Sequence, residues 1–155
     1  MHRSLIVLAL GLCAAAAAAD PFAGTWRYDA AASQLPPGAR PVANEIVIEA
    51  VEDGLHYRST TGADGEPSSA EFTAGFDGRP ALVRGARGLL WPVRLRRIDP
   101  VTIAASYGRG LGILARSRWS VDADAGRLVV RTVLLDADGE EVSALTAVYR
   151  RAAAD

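Results

Sequence analysis

"EIVIEAVEDGLHYRSTTGADGEPSSAEFTAGF", Glu45 to Phe76, alternates apolar and polar residues around two Asp-Gly pairs. In an extended chain Ile46 and Ile48 share one face and Glu45 and Glu49 the other. Leu55 and Tyr57 oppose His56 and Arg58, and Phe72, Ala74 and Phe76 oppose Glu71 and Thr73. Period-2 alternation marks half-buried strands, and Asp-Gly between two such runs marks a tight hairpin. With Asp53-Gly54 and Asp64-Gly65 as two-residue loops, Glu49 is expected opposite Arg58, and Arg58 opposite Glu71. Asp77-Gly78 as a third loop sets Glu71 opposite Arg84. An outer row Glu49–Arg58–Glu71–Arg84 then backs an inner row of Ala50, Tyr57, Phe72 and Val83. Opposite charges directly across strands favour pairing by roughly 0.2–1 kcal/mol each. A one-residue slip would exchange the two faces.

The pattern continues toward the C-terminus. "RSRWSV" sets Trp119 and Val121 against Arg116, Arg118 and Ser120, and "RLVVRTVLL" sets Leu128, Val130 and Leu134 against Arg127 and Arg131. A hairpin at Asp138-Gly139 places Thr132 opposite Leu145, Val130 opposite Ala147 and Leu128 opposite Tyr149. "ADGE" occurs twice, at Ala63–Glu66 and Ala137–Glu140, as one hairpin solution used twice. "DADG" at Asp136–Gly139 resembles the start of a calcium loop but lacks the later bidentate Glu at the required spacing.

The N-terminus reads as an address. Arg3 gives a positive start, Leu5–Ala16 is free of charge, and Ala17-Ala18-Ala19 offers small residues for cleavage before Asp20. The apolar stretch Leu5–Ala19 falls short of the roughly 20 residues a membrane span needs. Residues 1–19 are therefore expected to be a signal peptide and 20–155 one secreted or periplasmic domain. Leu12 before Cys13 is too large for a lipoprotein signal, so lipidation at Cys13 is not expected. Cys13 is the sole cysteine, so the processed domain would contain none and would fold without disulfides. Every cation is an arginine, and losing Arg3 leaves 16 of the 17 against 18 acidic residues, a balance that argues against nucleic acid as a partner.

The first strand opens on Phe22-x-Gly24-x-Trp26, within "DPFAGTW". Together with the Asp-Gly hairpins, "LRRIDP" at Leu95–Pro100 and the closing "AVYRR" at Ala147–Arg151, the chain resembles a group of small secreted bacterial proteins with lipocalin-like features and no established activity. The Thr-Asp-Tyr element of the central lipocalins is absent, so the likeness is to their looser relatives. The resemblance implies that Trp26 packs inside the closed end of a barrel with an arginine of the last strand across its ring. Strand parity puts Arg151 on the side of Tyr149 and sends Arg150 outward opposite Arg127, so Arg151 is the expected partner, worth about 0.5–2 kcal/mol.

Catalytic chemistry finds no constellation. His56 is expected on the outer face, beside Arg58 and opposite Val51, and no nucleophile motif surrounds Ser106, Ser117 or Ser143. One histidine without cysteine makes no metal site, and "YGRGLG" lacks the Lys-Ser/Thr of a phosphate loop. No enzyme, cofactor or metal is expected.

Arg79 to Arg118 departs from the even charge mix, with arginines at 79, 84, 87, 94, 96, 97, 109, 116 and 118 against Asp99 alone. Within it "GARGLLWP" and "YGRGLGIL" carry apolar tips among glycines. Arg94, Arg96, Arg116 and Arg118 fit the solvated faces of two strands. The loops Gly85–Trp91 and Tyr107–Leu114 fit the mouth of a barrel, with Leu90, Trp91, Leu111 and Ile113 lining it and Arg87 and Arg109 meeting a negative head group. Docking to an anionic membrane surface is a second use of the same chemistry.

The expected fold is all-β, an antiparallel up-and-down lipocalin-like β-barrel of roughly eight to ten strands, with a two-sheet β-sandwich as the alternative. Its interior should hold Trp26, Ile46, Ile48, Tyr57, Phe72, Phe76, Leu95, Trp119, Val121, Leu128, Val130 and Leu145. The expected function is binding of a small hydrophobic or anionic amphipathic ligand by a monomer. The alternative is a solid-cored envelope protein acting through its surface, and interior volume separates the two.

Overall fold

A computed structural model describes residues 19–39, 43–62, 68–109 and 112–153. The expected signal peptide up to Ala18, with Cys13, and the Asp64-Gly65 turn lie outside these residues. Every helix or strand among the described residues is a β-strand: β1 (Gly24–Tyr28), β2 (Glu45–Val51), β3 (Gly54–Thr61), β4 (Ser68–Gly75), β5 (Arg84–Gly85), β6 (Gly88–Leu89), β7 (Val93–Asp99), β8 (Thr102–Arg109), β9 (Gly112–Asp122), β10 (Arg127–Leu135) and β11 (Glu141–Arg151). They form one antiparallel sheet in the order β6-β5-β4-β3-β2-β1-β11-β10-β9-β8-β7.

The sheet curls back toward itself. The first and last strands pair, with Trp26 opposite Arg151 and Tyr28 opposite Tyr149. On the far side, the stretch between β4 and β5 bridges to β7 at Asp77↔Arg96 and Ala81↔Val93. Ala81 and Val93 exchange both backbone hydrogen bonds, at 2.8 and 3.0 Å, and the Gly78 N–H donates to the Leu95 carbonyl at 3.0 Å. Bridging of this kind covers edges that would otherwise present unpaired backbone groups. The architecture is the all-β, up-and-down, lipocalin-like barrel rather than two stacked sheets. Two-residue strands β5 and β6, a small hairpin on the rim, carry the strand count past the expected number.

Most of the expected register holds. Tyr57 faces Phe72, Arg58 faces Glu71 and Glu71 faces Arg84. Thr132 faces Leu145, Val130 faces Ala147 and Leu128 faces Tyr149. Two turns differ. Across β2 and β3 Glu49 faces His56, not Arg58, and Ile48 faces Tyr57. The displacement is two residues, so the faces survive, but Ala50 is exposed and Ile48 takes its place inside. Glu49 still reaches Arg58 diagonally at 3.6 Å, and His56 faces Glu49 rather than Val51.

The cause is what Gly54 is for. Asp53 takes the left-handed turn conformation itself, at φ 54°, and Gly54 already belongs to β3. A Cβ on Gly54 would stand 2.2 Å from the Ala74 carbonyl oxygen, so this glycine serves close strand approach rather than the turn. At Asp77-Gly78 the chain does not double straight back, because residues 76–83 first cross to β7 and complete the barrel.

Eight large side chains are almost completely buried: Trp26, Tyr149, Phe22, Leu55, Leu95, Ile103, Leu128 and Val93. Trp26 donates its indole N–H to the Phe22 carbonyl at 2.9 Å. Arg151 lies over the Trp26 ring at 4.1 Å and donates to the carbonyls of Ala23 and Pro21 at 2.6 and 2.7 Å. Gly24, at φ 137°, leaves room for that guanidinium, since a Cβ there would be 2.5 Å from Arg151 Nη1. Arg97 is held between the Phe76 and Phe22 rings, at 4.3 and 5.4 Å, and pairs with Asp20. Of the expected interior, Phe76, Val130 and Leu145 are half-buried and the others buried.

Candidate functional site

Away from this plug the same strands turn smaller residues inward. β3 passes from Leu55 through Tyr57 to Ser59, β9 from Trp119 through Ser117 to Ala115, β10 from Leu128 to Thr132, and β11 from Tyr149 to Ala147. A few side-chain volumes decide whether a small barrel is filled or hollow. Here they leave a cavity of about 620 Å³, within the rough 300–1,000 Å³ range of small-molecule sites.

Its walls have a distinct chemistry. Tyr57 stacks on Phe72 with ring centroids 4.8 Å apart and meets Trp119 at 5.6 Å. Leu89, Leu90 and Trp91 form the rim and are more than half exposed, at 68%, 51% and 54%. Gly85 leaves room for this rim, since a Cβ there would stand 3.0 Å from the Leu90 side chain. Every described residue lining the cavity is apolar or carries only a hydroxyl or indole N–H; none is charged.

Polar atoms gather on one wall. The Ser117 and Thr132 hydroxyls lie 2.6 Å apart, joined across directly paired positions of β9 and β10. The Tyr107 hydroxyl lies beside Ser117 and Trp119, and the Tyr57 hydroxyl beside Ser59. Burial pushes the Tyr57, Tyr107 and Tyr149 hydroxyls well above the ordinary tyrosine range, so they enter the cavity as neutral groups. The Trp119 indole N–H is buried without a hydrogen-bond partner. Natural proteins leave few such donors unpaired.

Leu90 and Trp91 line the cavity as the sequence suggests. Arg87 sits at the exposed tip of the β5–β6 hairpin and is not part of the lining. Ile113 borders a second hollow of about 250 Å³ beside the β10–β11 turn. The side chain of Arg109 and all of Leu111 lie outside the described residues. From the Tyr107–Leu114 segment it is Tyr107 that lines the main cavity. Trp26 and Arg151 meet at the opposite end, in the structural contact the resemblance implies.

Sequence reasoning missed Ser59, Tyr107, Ser117 and Thr132 as cavity residues. Parity contained the signal, because Ser117 is two residues from inward Trp119 and Thr132 pairs with inward Leu145. His56 stays on the outer surface, its Nδ1 2.8 Å from the Thr73 hydroxyl and its Nε2 3.3 Å from Glu71. Among the described residues no three His, Cys, Asp or Glu side chains gather as a metal site. No protein-family model and no curated protein matches this chain.

Proposed function

We propose that this protein is a secreted or periplasmic binding protein for a small hydrophobic or amphipathic molecule, held inside the barrel. The carrying observation is the uncharged cavity of about 620 Å³ that opens between Leu89, Leu90 and Trp91. Burying apolar ligand surface there gains roughly 25 cal/mol per Å² removed from water, before the costs of association. An anionic group on the ligand would remain at the rim, near exposed Arg84 and Arg87. Exposed Leu82, Leu89, Leu90 and Trp91 beside these arginines also suit docking of the mouth to an anionic membrane surface.

The test is native mass spectrometry on protein recovered from the periplasm after expression of the full chain, followed by solvent extraction. A bound mass of lipid-like composition is expected. An empty protein that also ignores added fatty acids, phospholipids and neutral lipids would return the surface-acting alternative.

A further inference from the structure

We infer that the cavity selects an uncharged ligand bearing a hydrogen-bond-accepting oxygen, such as a ketone, ester or ether, and seats that oxygen against the Trp119, Tyr107, Ser117 and Thr132 wall. The inference rests on the proposed binding function and specifies its ligand class. Two independent features carry it. Trp119 is only 3% exposed, lines the cavity and has an indole N–H that makes no hydrogen bond of good geometry, the Tyr107 hydroxyl lying beside it. A buried unpaired donor carries a desolvation penalty that an acceptor brought by a ligand removes. Beside it stand the Ser117–Thr132 hydroxyl pair and the Tyr107 hydroxyl, which can donate as well as accept. The wall therefore offers the Trp119 N–H together with the one hydroxyl proton that the Ser117–Thr132 pair leaves unused.

The second feature is charge. With no cation among the described lining residues, a carboxylate or phosphate drawn to this depth would lose its hydration without compensation. An ammonium would likewise meet no carboxylate. A pure hydrocarbon fits the apolar surface but leaves the Trp119 donor unpaired. Neutral oxygenated molecules satisfy both walls.

The inference is tested by displacement of a fluorescent apolar dye, phenylnaphthylamine, from the protein at neutral pH. The competitors share one chain length: undecane, methyl nonyl ketone and undecanoate. The ketone is expected to bind about three- to tenfold more tightly than undecane, the effect of one well-made neutral hydrogen bond. Undecanoate, whose carboxylate must stay at the rim and cannot reach the Trp119 wall, should bind more weakly than the ketone. Trp119→Phe should bring the ketone-to-undecane affinity ratio down to about one, whatever it does to the binding of both. Ketone binding should also move the indole N–H resonance that Trp119→Phe deletes from the NMR spectrum. If Trp119→Phe does not fold, Thr132→Val, which keeps side-chain shape, should narrow the preference instead. Equal affinity for ketone and undecane, or tightest binding of undecanoate, would overturn the inference and leave the binding function standing. No binding of the dye or of any competitor would overturn both.

Discussion

At one end of the barrel Phe22, Trp26, Leu55, Leu95 and Ile103 fill the space between the strands, and Arg97 and Arg151 lie over the aromatic rings. At the other end the same sheet turns Ser59, Ala70, Ala115, Ser117 and Ala147 inward, and the space stays empty. Backbone pairing is alike at both ends, so side-chain size alone separates a plug from a container. Packing energy is concentrated where the residues are large, because dispersion and burial scale with the atoms brought together. The hollow end holds fewer such contacts and carries polar atoms that a well-packed core would exclude. Binding sites commonly draw on a protein's stability in this way.

The contrast is most easily broken at the plug. Trp26→Ala deletes a fully buried indole and the ring beneath Arg151, and should cost about 3–5 kcal/mol. For a domain of this size that lowers Tm by on the order of 10–15 °C, measured by calorimetry. A loss below about 1 kcal/mol would show that the two ends are not energetically distinct. Arg97→Met keeps the length of the side chain but removes two aromatic contacts and the ion pair with Asp20. A loss of about 1–2 kcal/mol is expected in urea unfolding, with an unchanged m-value.

At the rim the sign of the comparison reverses. Trp91 is half exposed, so Trp91→Ala should shift stability by less than about 0.5 kcal/mol. The same change should weaken undecane binding several-fold in the dye-displacement assay. Equal effects of Trp26→Ala and Trp91→Ala on stability would count against the division.

The smallest effects come from pH. Tyr57, Tyr107 and Tyr149 have folded-state hydroxyl pKa values raised by burial above the ordinary 10.0. The folded state binds their protons more tightly, so stability is fully present below pH 10 and falls as pH rises beyond it. Tyrosinate absorbance from these residues should therefore appear together with loss of near-ultraviolet circular dichroism. In acid, Asp29 beside Arg150 and Asp122 at the head of the β9–β10 turn are held below 3.8. Their contribution is present above that pH and lost as pH falls through it. Asp122 is on the surface and Asp29 is only partly covered, so only a shallow decline in Tm is expected on that side.

The plug was more legible in the sequence than the container. Trp26 and Arg151 are tied by strand parity across hairpins whose register depends on a few turn residues, and parity survives an error of two. That is why the displaced β2–β3 pairing left the faces intact although it exchanged Ala50 for Ile48. For Arg97 parity contained the side, because it stands two residues from inward Leu95, but nothing local shows that two phenylalanine rings await it. Cavity volume was hidden for a different reason. It is a difference between the girth of the barrel and the summed volumes of side chains from many strands, and no local pattern encodes it. Ser117 and Thr132 look like ordinary strand residues until both are known to face inward at the same level.

The bridges between residues 77–81 and β7 have a mechanical meaning. Strands β7 to β11 and β2 to β4 are laced to one another over most of their lengths, but here the circumference is completed at Asp77↔Arg96 and Ala81↔Val93. Local opening is easiest where the fewest backbone bonds and buried contacts must be broken. Opening along this line would loosen the wall from Val93, just beyond Trp91 on the rim, down to Arg96, where the Arg97 contacts with Phe76 and Phe22 resist it.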